Sequence, residues 1–240
     1  MKQYRAIFLD WDDTIGDWKN AERFTLRDIF YLYHLDELYA SPDDFIAAYK
    51  PYNLNLWALY GAGDITKEYL HFERFYHTLL ANSAPSVNGI MKETLGHIMG
   101  DEFLRLTNKY FSLLPHADEM VRYLASKYPL TIVSNGFREV QYYKLDHSGL
   151  RDCFAHILIS DEVGINKPQP QIFEKALALN NVAPAEVLMI GDSYTSDIAG
   201  AKAAGIDSLW IRDPQTAEPL DKDQSATYIV TDLRDIRNII

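Results

Sequence analysis

The feature that most limits the fold is a gap. The chain opens with a short apolar run, Tyr4–Leu9, that reads as a buried β-strand, and no comparable run follows until Leu130–Val133. Between Asp12 and Ser134 lie 121 residues, far more than one crossover between neighbouring strands requires. From Leu130 onward such runs recur at His156–Ile159, Val187–Ile190 and Ser208–Ile211, with an edge candidate at Thr227–Val230. Helical patterns fall between them, for example Asp118–Lys127, Pro170–Asn180 and Thr195–Ala204. This alternation predicts an α/β chain whose parallel sheet is covered by helices, with its first strand set apart by an insertion.

The insertion itself reads as all-helical. Ala21–Tyr39, Pro42–Tyr49, Thr66–Ala81, Val87–Met99 and Asp101–Tyr110 carry apolar residues at three- and four-residue spacing. Ser41-Pro42 and Thr66 mark starts, and Gly61-Ala62-Gly63 marks a turn. The predicted organisation is a Rossmann-like core from residues 1–16 and 115–240, with a helical domain over 17–114. The many aromatics of the insertion are expected to pack its helices together rather than to form a binding box.

Charge and cysteine content exclude several classes of function. A formal net charge of −11, with Lys and Arg scattered rather than clustered, disfavours a nucleic-acid duplex or a membrane surface as partner. A small anion is still admissible, because one lysine, a cation and backbone N–H groups can meet it locally. The single cysteine, Cys153, excludes an intrachain disulfide and a Cys-rich zinc site. No apolar run reaches the ~20 residues a bilayer requires. Ala6-Ile7-Phe8-Leu9 is too short for a leader core and ends in acids, so a cytoplasmic protein is expected.

In an open parallel sheet, ligands bind beyond the carboxyl ends of the strands, so the residues that follow each apolar run matter most. The first run discharges into Asp10-Trp11-Asp12-Asp13-Thr14, a cluster of acids that is costly without a cation. The second ends in Ser134-Asn135-Gly136: a hydroxyl, an amide, and a glycine that permits close backbone approach. After the third comes Lys167-Pro168, and the fourth ends in Gly191-Asp192 with Asp197 five residues on. Taken singly, such residues are more often turn formers and helix caps. In this order, each behind a buried-strand pattern, they compose a plausible machine. Acids from the first and fourth strand ends can hold a hard cation such as Mg²⁺, Ser134 and Lys167 can bind phosphate oxygens, Asp10 can attack phosphorus, and Asp12 can relay a proton. The scheme requires the carboxyl oxygens of Asp10 and Asp192 to lie close enough to share one cation.

That ordered set resembles the haloacid dehalogenase superfamily. Asp10–Thr14 matches its Asp-x-Asp-x-Thr motif, Ser134 its strand-terminal hydroxyl, Lys167–Pro170 its lysine in a Lys-Pro-x-Pro setting, and Gly191-Asp192 with Asp197 its acidic fourth motif, followed by Ala199–Gly205. The resemblance implies an Mg²⁺-dependent phosphatase acting through an aspartyl-phosphate. In it Asp10 is nucleophile and metal ligand, and Asp12 is acid/base and lends its backbone carbonyl to the metal. Asp192 is a ligand, Asp197 a ligand or its supporting acid, and Ser134, Asn135 and Lys167 grip phosphate. Thr14 is expected to order the loop around Asp12. Only 32 residues separate Ser134 from Lys167, so the family's cap domain must follow the first motif and be helical. Asp13 stands where the family usually has glycine. The presence of Asp12 favours a phosphatase over a dehalogenase or a phosphonate hydrolase.

Within the insertion, Asp17–Glu22, Tyr52-Asn53 with Leu56-Trp57, and Gly63–Thr66 resemble the pyrimidine 5′-nucleotidase branch. That branch implies a nucleoside monophosphate as substrate, with an aromatic or an amide of the cap against the base. The alternatives are a sugar-phosphate or phosphoglycolate-type phosphatase, a phosphoglucomutase of the same superfamily, or a phospho-receiver-like signalling module. The expected partner is a small phosphomonoester, and the expected state a monomer or weak homodimer. A cap that opens and closes through segments near Gly16 and Leu114-Pro115 is also expected.

Overall fold

The computed structural model describes residues 2–82, 89–213 and 226–240. It divides into two compact units, Met1–Asp17 with Ser112–Ile240 and Trp18–Phe111. No described helix is long and apolar enough to cross a membrane.

The first unit is built on a sheet of β1 (Ala6–Leu9), β2 (Leu130–Ser134), β3 (Phe154–Ile159), β4 (Val187–Gly191), β5 (Asp207–Ile211) and β6 (Tyr228–Val230), in the order β3-β2-β1-β4-β5-β6. Every pairing is parallel. β1, β2 and β4 are buried throughout, which accounts for their unbroken apolar character: both faces are covered. Register then decides what meets at the sheet's edge. Leu9 pairs with Ile132 on one side and Ile190 on the other. Asp10, the first residue past β1, therefore lies level with Val133 of β2 and Gly191 at the end of β4, and its N–H donates to the Ile190 carbonyl at 3.0 Å.

The segments that lead into and out of the second unit are stitched together. Gly16 bridges to both Asp12 and Leu113, Asp17 N–H donates to Ser112 O at 2.9 Å, and Leu114 N–H donates to Ile15 O at 2.8 Å.

The second unit contains α1 (Trp18–Leu32), α2 (Pro42–Ala62), α3 (Lys67–Leu80) and α4 (Gly89–Lys109). Ser41 Oγ accepts from Asp44 N–H and Thr66 Oγ1 from Tyr69 N–H, each at 3.2 Å, so both expected helix starts are capped. Its core joins Leu26, Ile29, Phe30, Phe45, Tyr49, Phe75, Met99 and Phe103. The rings of Tyr49, Phe75 and Trp18 all lie around Phe103, with centroids 5.6–6.2 Å away.

Two expected helix bounds change here. The helix expected over Pro42–Tyr49 runs on through Pro51 as α2 to Ala62, with Leu56 and Tyr60 buried beyond the proline. Tertiary burial there outweighs the hydrogen bond that a proline removes. The break expected at Gly100 is also absent, and α4 runs through it. A Cβ on Gly100 would lie 2.8 Å from His71 O, and one on Gly96 would lie 2.9 Å from the Phe72 ring. These glycines are notches that let α4 approach α3 rather than helix breakers. The expected start of that helix at Val87 lies outside the described residues.

Among the described residues the first unit also holds α5 (Ala117–Ala125), α6 (Arg138–Ser148), α7 (Ser160–Val163), α8 (Pro170–Asn180) and α9 (Ala199–Ala203). A single π-helical turn, Tyr194–Ile198, precedes α9.

Candidate active site

Four loops at the carboxyl edge of the sheet bring the chemistry-bearing residues together. Asp10, Asp192 and Asp197 each offer a carboxylate oxygen, and these oxygens all lie within 4.8 Å of one another. Lys167 Nζ donates to Asp10 Oδ1 and to Asp197 Oδ1, both at 2.6 Å. Asp10, Lys167 and Asp197 are all buried. The π-turn carries Asp197 back toward β4, where its Oδ2 accepts from Ser193 N–H at 3.1 Å. Such local π geometry recurs at functional sites because it redirects one side chain without ending the helix.

Charge is unbalanced in this cluster. Three carboxylates face one ammonium, and burial strips away the solvent that would stabilise them. Burial, only partly offset by Lys167 and reinforced by Asp197 and Asp12, pushes the Asp10 carboxyl up to about 7. Burial also works against the Lys167 charge, but Asp10 and Asp197 outweigh it and hold the ammonium above the usual lysine range. A hard divalent cation fits this donor set, since the oxygens are carboxylate, close-set, and in anionic excess over their one lysine.

Other expected residues take more specific places. The Asn135 side chain is occupied at both ends by the Lys167 backbone. Its Nδ2 donates to Lys167 O and its Oδ1 accepts from Lys167 N–H, each at 2.8 Å. Asn135 was expected to grip phosphate; what the structure shows is that its amide holds the Lys167 backbone. Ser134 Oγ accepts from Gly136 N–H at 3.1 Å, which orients the hydroxyl at the end of β2. Thr14 was expected to order the loop around Asp12; its N–H reaches Trp11 O at 3.4 Å, and its buried hydroxyl has no hydrogen-bond partner among the described residues. Asp13 has φ 56°, the left-handed conformation that glycine adopts freely and Asp tolerates better than most residues. The glycine usual at this position thus has a backbone reason.

Asp12 does not join the other three acids. Its Oδ2 accepts from Gln141 Nε2 at 2.6 Å and its Oδ1 from Lys144 Nζ at 2.5 Å. Neither partner was foreseen. The signal was present, however, in the spacing of Phe137, Val140, Gln141, Lys144 and Leu145, the buried stripe of a helix with two polar residues at core positions.

Two glycines act through the volume they leave free. A Cβ on Gly191 would lie 2.3 Å from Asp197 Oδ2, and one on Gly136 would lie 1.8 Å from Gln141 Nε2. Gly136 was read as permitting backbone approach to a ligand; in the fold the vacated space holds the Gln141 side chain.

A family model described as haloacid dehalogenase-like hydrolase matches residues 4–205. Among curated proteins, the HAD-hydrolase YfnB of Bacillus subtilis is 30% identical over 241 residues, covering 100% of this chain and 97% of its own. Glyceraldehyde 3-phosphate phosphatase of Pyrococcus furiosus is 30% identical over 100% of this chain and 94% of its own. Pyrimidine 5′-nucleotidase YjjG of Escherichia coli is 29% identical over 98% of this chain and 96% of its own. The crystal structure of YfnB bound to magnesium, which reveals interdomain movement, superposes with a TM-score of 0.82 at 28% identity, covering 99% of each chain.

Proposed function

The chain belongs to the haloacid dehalogenase-like hydrolases, and from that premise we propose that it is a phosphatase that cleaves small phosphomonoesters through an aspartyl-phosphate on Asp10. The carrying observation is the placement of Asp10 at the end of β1, held by Lys167 and grouped with Asp192 and Asp197. In this reading Asp10 Oδ attacks phosphorus while the bond to the leaving oxygen breaks, and Asp12 gives that oxygen a proton. Asp12 then takes a proton from the water that attacks phosphorus and frees Asp10. Lys167 and Ser134 hold the phosphoryl oxygens, and the fixed Lys167 charge is oriented before substrate arrives. A divalent cation such as Mg²⁺, when bound by Asp10, Asp192 and Asp197, supplies the positive charge that three carboxylates and one lysine lack. The magnesium-bound relative supports that assignment.

For the substrate we favour nucleoside monophosphates with a pyrimidine base. The nucleotidase-like segments Asp17–Glu22, Tyr52–Trp57 and Gly63–Thr66 support this, as does the pyrimidine 5′-nucleotidase relative aligned along nearly the whole chain. A small sugar or triose phosphate is the second reading, supported by the glyceraldehyde 3-phosphate phosphatase relative. Phosphate release from UMP, dUMP, TMP, glyceraldehyde 3-phosphate and hexose phosphates, each with Mg²⁺ and with EDTA, separates the two. Nucleotidase specificity predicts kcat/KM highest for the pyrimidine nucleotides. Turnover of the sugar phosphates alone would discard it, and no release from any ester would discard the phosphatase reading.

A further inference from the structure

We propose that Gln141 and Lys144 of α6 are positioning residues that fix the orientation of the Asp12 carboxylate, and that Gly136 is glycine so that Gln141 can reach it. The inference rests on the phosphatase reading above for its chemistry, but not for its geometry.

Both Asp12 oxygens are engaged from one helix: Oδ2 by Gln141 and Oδ1 by Lys144, one turn further along. The two donors are 1% and 4% exposed, so neither is a surface residue that happened to fall near an acid. Burying a lysine is unfavourable unless a counter-charge meets it, and Lys144 forms an ion pair with Asp12 at 2.5 Å. Gln141 is unfavourable on its own account too, since its Oε1 is buried without a hydrogen-bond partner among the described residues. A helix selected only to pack would carry apolar side chains at both positions, as it does at Val140 and Leu145. Two costly polar choices on one buried stripe, both aimed at one carboxylate, call for a reason in that carboxylate.

Gly136 supplies the independent observation. An added Cβ would fall 1.8 Å from Gln141 Nε2 and 2.6 Å from its Cδ, so any side chain there evicts the glutamine. The same Gly136 donates its N–H to Ser134 Oγ. One short loop therefore sets both the hydroxyl at the end of β2 and the space through which Asp12 is held.

The chemistry asks for such a hold. As the bond from Asp10 to phosphorus forms and the bond to the leaving oxygen breaks, one proton must pass from Asp12 to that oxygen, and transfer depends on alignment. A carboxyl on a free rotor would sample many orientations. Here two donors on a rigid helix fix it and leave each oxygen a further lone pair for the proton.

The test is a series of phosphate esters whose leaving groups run from 2,4-dinitrophenol, which departs without a proton, to simple alcohols, which require one. Wild type, Gln141→Met, Lys144→Met, Lys144→Arg and Gly136→Ala are compared with Mg²⁺ present. We expect the loss in kcat/KM to grow with leaving-group basicity, reaching about 10²-fold or more on alkyl esters. Gly136→Ala should reproduce the Gln141→Met profile, and Lys144→Arg should recover part of what Lys144→Met loses. An equal loss on every ester would reduce the pair to a structural role and overturn the inference. Crystal structures of wild type and Gln141→Met provide a readout independent of turnover. The Asp12 side chain should hold one orientation in the first and leave it in the second; an unmoved Asp12 would overturn the inference. A wild type inactive on the whole series would instead overturn the phosphatase reading, while the crystal structures still decide the positioning claim.

Discussion

Replacing Asp10 with asparagine should stabilise the metal-free protein while destroying its function. The reasoning begins from three acid side chains whose oxygens lie within 4.8 Å of one another and a single ammonium 2.6 Å from two of them. At an effective dielectric of 20, like charges at the longer distance repel by about 3.5 kcal/mol, and the Lys167–Asp10 pair attracts by about 6 kcal/mol. Repulsion from two neighbouring aspartates thus cancels the attraction to one lysine, and the penalty of burying the carboxylate tips the balance against it. The Asp10 carboxyl, raised to about 7, points the same way. Asparagine keeps an oxygen that can accept from Lys167, and Lys167 keeps Asp197. A gain of about 1–3 kcal/mol is expected, which for a chain of this size raises Tm by about 2–4 °C per kcal/mol. Thermal melts in EDTA at about pH 8, above the raised carboxyl, measure it directly. With Mg²⁺ the order should reverse, because a ligand at 100 times its Kd adds about 2.7 kcal/mol to a protein that holds it. The variant, short of one ligand, gains less. An Asp10→Asn protein that melts below wild type in EDTA would show that the acids are not in electrostatic excess, and the cation site would fall with it.

Three further outcomes follow from the same structure. Gly191→Ala forces a methyl to within 2.3 Å of Asp197 Oδ2 and should weaken the Mg²⁺ dependence of activity about 10–100-fold; an unchanged magnesium titration counts against that role. Burial, aided by Arg74 and opposed by Asp101, holds the His71 imidazole below its usual range. The folded ring therefore stays neutral where the unfolded one takes a proton. Its contribution is present above about pH 6.5 and lost as pH falls below it, so melts of His71→Gln should show a shallower acid slope than wild type, and parallel slopes would contradict this. Phe103→Ala removes the ring at the centre of the second unit's aromatic core, on which the Arg74 guanidinium also rests at 4.3 Å. It should cost about 3–5 kcal/mol in urea unfolding, and a cost below about 1 kcal/mol would mean the core lies elsewhere.

The central strands β1, β2 and β4 were legible because each is buried on both faces and so had to be written as an unbroken apolar run. That also made their ends legible: Asp10, Ser134 and Asp192 each follow or close such a run. Helix starts at Ser41 and Thr66 were equally local, since a cap is a bond between neighbours in the chain. Elements whose fate depends on a distant surface were misread. The helices expected to end at Tyr49 and Met99 run on through Pro51 and Gly100, carried by the packing of α2 and the close approach of α3 to α4. For Asn135 the sequence shows type and position; that both ends of its amide meet the backbone of a residue 32 positions away is a contact only the fold reveals.

By itself the sequence determined the inventory: which segments bury both faces, which polar groups lie at their ends, and which helices carry caps. It could do so because burial and capping are set within a few residues. The tertiary structure alone decided the distances. Parallel register brought Asp10, Asp192 and Asp197 to within one cation's reach, and left Asp12 to a helix whose polar stripe has meaning only once it faces that carboxylate. Chemistry between residues remote in the chain depends on separations of a few ångströms, and only the packed sheet and helices specify those.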